Sequence, residues 1–150
     1  MKIRVQEQTE IHRPPADVYR FIASEHGRNH PRWDPRAVEF MQLDPGPVAV
    51  GTRFSYKRKV LGRLQTLELV VTDMEPNRVF AFRVTGSMQA QIRYVLDSTA
   101  DPTTTVVQGV ADFEVSGPQL LAPLVKMLVD RGAKDSQRRI KQMVEAGAQA

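Results

Sequence analysis

The sequence predicts an α+β fold in which a curved antiparallel sheet closes over one long C-terminal helix. Three observations predict it. An alternating N-terminal segment runs into Pro14-Pro15 and a short amphipathic helix. Residues 36 to 115 then read as strand after strand with tight turns, and beyond Gly117-Pro118 the spacing turns helical. A sheet wrapped around a terminal helix tends to leave space between the two, so the layout favours a small apolar ligand pocket. It names neither the ligand nor a reaction.

Each element has a local reason. Ile3, Val5, Thr9 and Ile11 alternate with Lys2, Arg4, Gln6, Gln8 and Glu10, the signature of a half-buried strand. Pro14 and Pro15 suit the first turn of a helix, where a missing N–H costs nothing, and Asp17 complements the helix dipole there. Val18, Phe21 and Ile22 give that helix an apolar face, and Gly27 and Pro31 close it and open a loop carrying Trp33. A strand near 36–43 ends at Asp44-Pro45-Gly46-Pro47. After Gly51, Phe54 and Tyr56 face one way and Arg53, Ser55 and Lys57 the other. Leu61-Gly62 turns the chain into 63–74, and Glu75 to Arg78 make another tight turn. Strands at 79–85 and 88–96 flank Gly86-Ser87, a hairpin signature, and a last strand occupies about 103–115. Tight turns with no helices between them mean an antiparallel meander.

The terminal helix is expected over 118–146, about 43 Å long at 1.5 Å per residue. Leu121, Leu124, Val125 and Leu128 form one apolar stripe, and Ile140, Met143 and Val144 continue it. Between them Arg131-Gly132-Ala133 thins the side-chain bulk, which predicts open space over the sheet centre.

Composition narrows the class. The chain has 150 residues, 41% hydrophobic and 25% charged, an ordinary globular balance read as one domain over 1–150. Zero cysteines exclude disulfides, thiolate-bound zinc and thiol nucleophiles. No stretch reaches the roughly 20 apolar residues of a membrane span. The N-terminus lacks the apolar core of an export signal, so the expected location is cytoplasmic. The net charge of +4 comes from interleaved signs. The basic runs, Arg53 with Lys57, Arg58 and Lys59, and Lys134 with Arg138, Arg139 and Lys141, lack the aromatics that stack bases, so no nucleic-acid partner is expected.

The chain resembles the START-like, or SRPBCC, superfamily with the helix-grip fold, and within it the polyketide cyclase/dehydrase and lipid transport branch. The resemblance rests on Arg13-Pro14-Pro15-Ala16-Asp17-Val18-Tyr19-Arg20-Phe21-Ile22 and on His30-Pro31-Arg32-Trp33-Asp34-Pro35. Val50-Gly51-Thr52-Arg53-Phe54, then Glu75-Pro76-Asn77-Arg78-Val79-Phe80-Ala81-Phe82, and the closing helix complete it. It implies a seven-stranded curved antiparallel sheet around the last helix, with two short helices near 15–30. It also implies a cavity for lipids, sterols, polyketides, hormones or aromatic metabolites. The superfamily shares no common catalytic residue, so the resemblance carries over a pocket and not a reaction.

Strand alternation supplies candidate lining residues. Glu7 falls on the same face as Ile3 and Val5 and is either a strand-edge side chain with its head in water or a buried carboxylate that needs a partner, for which Arg58, Arg83, Tyr94 and Arg131 are candidates. A Glu7–Arg pair would be a polar anchor in an apolar lining. Phe40, Phe54, Tyr56, Ile92, Tyr94 and Phe113 lie on the strands as candidate ligand contacts or as core. The two phenols stand apart because a buried hydroxyl wants a partner. Trp33 reads as an end plug of the core or a wall at the pocket mouth. Leu124, Met127, Leu128 and Arg131 would be the helix's contribution. His26 and His30 are four apart, but Gly27 and Pro31 interrupt the helix that would align them and no HExxH occurs. They are therefore expected as surface loop histidines, with no metal and no cofactor. No GxGxxG, Walker loop, GxSxG or nucleophilic triad is present.

Three functions are consistent with this reading. The first is a binding or carrier protein for a hydrophobic small molecule. The others are a cofactor-independent cyclase or dehydratase and a co-chaperone-like interaction module. A monomer or an edge-paired homodimer would serve any of them.

Overall fold

The structure is a computed structural model and describes residues 1–147. A seven-stranded antiparallel sheet has the order β1-β7-β6-β5-β4-β3-β2. Its strands are β1 (Lys2–Ile11), β2 (Ala37–Gln42), β3 (Arg53–Val60), β4 (Arg63–Glu75), β5 (Val79–Gly86), β6 (Gln89–Ser98) and β7 (Thr105–Glu114). After β1 come α1 (Pro15–Tyr19), a π-helical turn (Arg20–Ser24) and α2 (His26–Trp33). A 3₁₀ turn (Gln119–Leu121) leads into α3 (Ala122–Glu145).

The meander accounts for every strand except β1, which pairs with β7 and brings the N-terminal residues beside the chain entering α3. Alternation along β1 holds as predicted: Ile3, Val5 and Ile11 are buried and Lys2, Arg4 and Gln6 exposed. At Leu61-Gly62 both residues have positive φ, 51° and 76°, the backbone twist a two-residue hairpin needs.

One expectation is corrected in the segment after α1. The stretch read as a polar loop is the helix α2, with His26, Asn29, His30 and Trp33 buried along one side. Pro31 removes only its own hydrogen bond. The turns around it are closed by Asn29 N–H to Glu25 O, 3.0 Å, and Asp34 N–H to His30 O, 3.0 Å. The Asn29 side chain adds a bond to Phe21 O at 3.0 Å. Tertiary bonds and burial thus outweigh two poor helix formers.

The core fills the closed end of the grip. Phe21, Phe54 and Phe80 are fully buried, and the His26 ring touches Trp33, Phe40, Phe54, Phe80 and Phe82 at centroid distances between 5.0 and 5.6 Å. Tyr19 ties α1 to β5 by donating its hydroxyl to Val79 O at 2.9 Å.

α3 packs along β1 and against α2. Its buried residues, Gln137, Ile140 and Val144, all fall in its second half. Gln137 fastens the helix by accepting from the Thr9 hydroxyl and donating to Glu7 O at 3.2 Å. Gly109 of β7 permits this approach, since a Cβ there would lie 2.5 Å from Gln137 Nε2. The space expected beside Gly132 is not open. The Arg36 guanidinium lies against it, 3.4 Å from where a Cβ would stand.

Candidate functional site

The site assembles on the concave face where α2 ends beside β3. Asp34 follows α2 directly, and its buried carboxylate is held from three directions. Arg36 N–H donates to Oδ1 at 3.0 Å, the Tyr56 hydroxyl donates to Oδ2, and Arg58 Nε stands 3.8 Å from the same Oδ2. Register explains the convergence. Ala37 pairs with Arg58 and Phe40 with Tyr56, so the start of β2 carries Asp34 alongside two β3 residues that share a face. The Arg58 guanidinium carbon lies 5.9 Å from the Tyr56 ring centroid. Its Nε is closed off from water and makes no hydrogen bond among the described residues, so part of this cation's donor capacity is unused there.

A row across the sheet brings in the second phenol. Glu7 pairs with Gly109, Gly109 with Tyr94, and Tyr94 with Phe80. The Tyr94 ring lies over Gly109, 3.5 Å from where a Cβ would stand. Burial, and then the Asp34 charge, push its phenol pKa up, so the hydroxyl stays protonated. That hydroxyl has no hydrogen-bond partner among the described residues.

Behind Tyr56 sit the two histidines. His30 stacks on Phe40 at 4.6 Å and meets Tyr56 edge-on at 5.1 Å. Its Nδ1 is 3.0 Å from His26 Nε2, and His26 Nδ1 is 2.9 Å from Ile22 O. Burial lowers the His26 pKa to about 4. His30 is pushed well below the usual range by burial, by His26 and by the Arg58 charge. Both rings are therefore neutral near pH 7, and the expectation of surface loop histidines is overturned. The residues at 26, 29, 30 and 33 carry the helical i, i+3, i+4, i+7 spacing that marks one buried face. That was the available signal. For Asp34 the sequence offered none, because its partners lie 22 and 24 positions away, at Tyr56 and Arg58.

The predicted residues fall into three groups. Tyr56, Arg58, Tyr94 and Phe40 surround the Asp34 carboxylate or the His30 ring. Trp33 and Phe54 are fully enclosed behind them, packed on His26, and so belong to the core. Ile92 and Phe113 are half-buried in neighbouring strands, and Glu7 is half-buried beside Gln137. Glu7 forms no ion pair among the described residues. Arg58 is directed to Asp34 instead, while Arg83 and Arg131 are exposed. The anchor pair is thus Asp34–Arg58 and not Glu7–Arg.

Leu124, Met127 and Leu128 are 52, 42 and 45% exposed, so any space they border opens to solvent and is not enclosed. Two surface hollows, of about 440 and 350 Å³, share the rim residues Arg4, Gln91 and Asp112. These alternate with the concave residues, which places the hollows on the convex face, bridged by the Arg4–Asp112 ion pair at 2.7 Å. They are charged grooves and not the apolar hollow expected under the helix. Among the described residues no His/Asp/Glu group is arranged to hold a metal. No helix among them is long and apolar enough to cross a membrane.

A curved seven-stranded sheet gripping a long terminal helix, with short helices after β1, defines the helix-grip class of START-like proteins. Solved structures agree on the fold. A START superfamily protein from Mycobacterium smegmatis superposes with a TM-score of 0.79 at 17% identity, over 95% of this chain and 97% of that one. The Zhui aromatase/cyclase from a Streptomyces species gives 0.77 at 17% identity, over 97% and 94%. Ara h 8.0201 gives 0.76 at 12% identity, over 97% and 99%. No curated protein matches the sequence. The chain belongs to the polyketide cyclase/dehydrase and lipid transport family, whose model matches residues 2–146.

Proposed function

We propose that the protein binds a hydrophobic, ring-bearing small molecule against the concave face, with the polar end of the ligand at Tyr94 and Arg58. One observation carries this reading. On a face lined largely by apolar and aromatic side chains, neither the Tyr94 hydroxyl nor the Arg58 guanidinium has a hydrogen-bond partner among the described residues. Small-molecule sites combine an apolar lining with a few convergent polar groups in this way. A ligand carbonyl would accept from the Tyr94 hydroxyl while its ring packs on Phe82 or Phe40, which border Tyr94 and Tyr56. Membership of the family supports the same class of ligand.

The test is native mass spectrometry of the purified protein, followed by titration with anilinonaphthalene sulfonate. Copurification of a small molecule, or probe binding weakened severalfold by Tyr94→Phe and Arg58→Met, supports the assignment. Probe affinity unchanged in both variants removes it.

A second reading, a cofactor-independent cyclase or dehydratase, is favoured by the neutral imidazole of His30 and the protonated phenol of Tyr94, whose rings both border Phe82. Such a pair could accept and donate protons on a folded polyketone chain. Turnover of an aromatic polyketone, lost in Tyr94→Phe while binding persists, would separate enzyme from carrier.

A further inference from the structure

The histidine pair is fixed in one arrangement by its hydrogen bonds. His26 and His30 stand on successive turns of α2, on the same side of the helix. His26 Nδ1 is 2.9 Å from the carbonyl oxygen of Ile22. A carbonyl only accepts, so Nδ1 carries the hydrogen, and in the neutral ring Nε2 is then a bare lone pair. His30 Nδ1 stands 3.0 Å from that lone pair and must be the donor. A backbone carbonyl thereby sets the tautomer of both rings in series.

The consequence falls at the far edge of the second ring. His30 Nε2 has no hydrogen of its own and no partner among the described residues. Unlike Arg58 Nε, it is not among the atoms closed off from water, although the residue as a whole is only 7% exposed. It sits on an aromatic floor formed by Phe40 and Tyr56. A nearly buried acceptor left without a donor carries a desolvation cost that a ligand donor would remove.

We propose that His30 Nε2 is the acceptor for a hydroxyl on an aromatic or enolic ring of the bound molecule, with His26 as the positioning residue that keeps His30 in its accepting tautomer. The proposal rests on the concave-face binding reading and adds the selection of a hydroxyl-bearing ring over its ether or ketone counterpart. With the opposite tautomer His30 would donate, and the preference would reverse toward carbonyls.

The probes are a naphthol and its methyl ether, which share a ring and differ in the donor. The first measurement is the imidazole nitrogen spectrum of the unliganded wild-type protein, with a hydrogen expected on Nδ1 of both rings at neutral pH. On titration the naphthol should bind about fivefold tighter than the ether, the size of one net hydrogen bond, and should move the His30 Nε2 resonance. His30→Phe should erase the preference, so that the naphthol and the ether bind alike. His26→Leu should erase it too, by freeing the tautomer. A hydrogen on His30 Nε2 in the wild type overturns the proposal without any ligand or variant. Equal binding of both probes with an unmoved His30 signal also overturns it, yet leaves the concave-face reading standing. Failure of both probes to bind removes the two together.

Discussion

Arg58 Nε stands 3.8 Å from Asp34 Oδ2, the same oxygen that accepts the Tyr56 hydroxyl. Side-chain exposures of 16 and 11% leave little water to screen either charge. The pair therefore does two things at once. It neutralises a carboxylate that α2 delivers into the concave face, and it holds beside the lining a guanidinium that makes no hydrogen bond among the described residues.

Removing one partner strands the other, so Asp34→Ala should destabilise the protein by about 3 kcal/mol, near the low end for a broken buried pair because some exposure remains. Asp34→Leu combined with Arg58→Met should recover part of that loss, since no charge is left stranded, while the Tyr56 hydroxyl and Arg36 N–H still lose their acceptor. Urea denaturation of the single and double variants reads the difference. The double variant should nonetheless lose probe affinity along with its polar anchor.

Acid should act on this protein in a window set by its buried histidines. In the unfolded chain a histidine takes up a proton near its ordinary pKa of about 6.5. Folded His26 does so only near about 4, because burial disfavours its charged form. Between those values the unfolded state binds more protons, so stability rises with pH there and is lost as pH falls. At about 1.4 kcal/mol per pH unit the loss for His26 is about 3 kcal/mol. His30, lowered by burial, by His26 and by Arg58, acts in the same direction. The carboxylates of Asp44, Asp101, Asp112 and Asp135 have their pKa lowered by hydrogen bonds and so contribute only at more acidic pH. The urea midpoint should fall steadily from about pH 6.5 to about 4. The double variant His26→Leu with His30→Phe should be nearly flat across that range.

The strands were legible because their determinants are local. Ile3, Val5 and Ile11 declare a face, and Leu61-Gly62 and Gly86 declare turns, without reference to the rest of the chain. The residue pattern alone read α2 as a loop, and only the family resemblance implied a second short helix, because what holds α2 is distant or crosses turns: Asn29 to Phe21 O, His26 to Ile22 O, and burial against Phe54 and Phe80. The anchor shows the same limit. Alternation put Glu7 and Arg58 on one face, as found, but which carboxylate meets Arg58 depends on how α2 enters β2. The gap at Gly132 reads as empty space until Arg36 is seen against it.

Gly86 closes the β5–β6 hairpin with φ of +123°, and a Cβ there would lie 2.5 Å from the backbone oxygen of Thr66. Neither the strain nor the clash can be relieved by a side-chain rotation, because the obstacle is main chain in β4. Gly86→Ala should therefore cost at least about 2 kcal/mol. Thermal unfolding would show it as a drop of several degrees, and a midpoint within about 1 °C of wild type would contradict the geometry.

The first half of α3 separates stability from ligand capture. Leu124 and Leu128 stand one turn apart, 52 and 45% exposed, in a part of the helix that contributes no buried residue. Apolar side chains this exposed add little to folding, so Leu124→Ser with Leu128→Ser should change stability by no more than about 0.5 kcal/mol per site. As rim residues of an open concave site they would still cover part of a bound ring, and each partly buried leucine contributes at about 25 cal/mol per Å². Probe affinity should then weaken severalfold at unchanged urea midpoint. A large loss of stability would instead place these leucines in the core, and unchanged affinity would move the ligand away from α3 toward the β3–β6 part of the concave face.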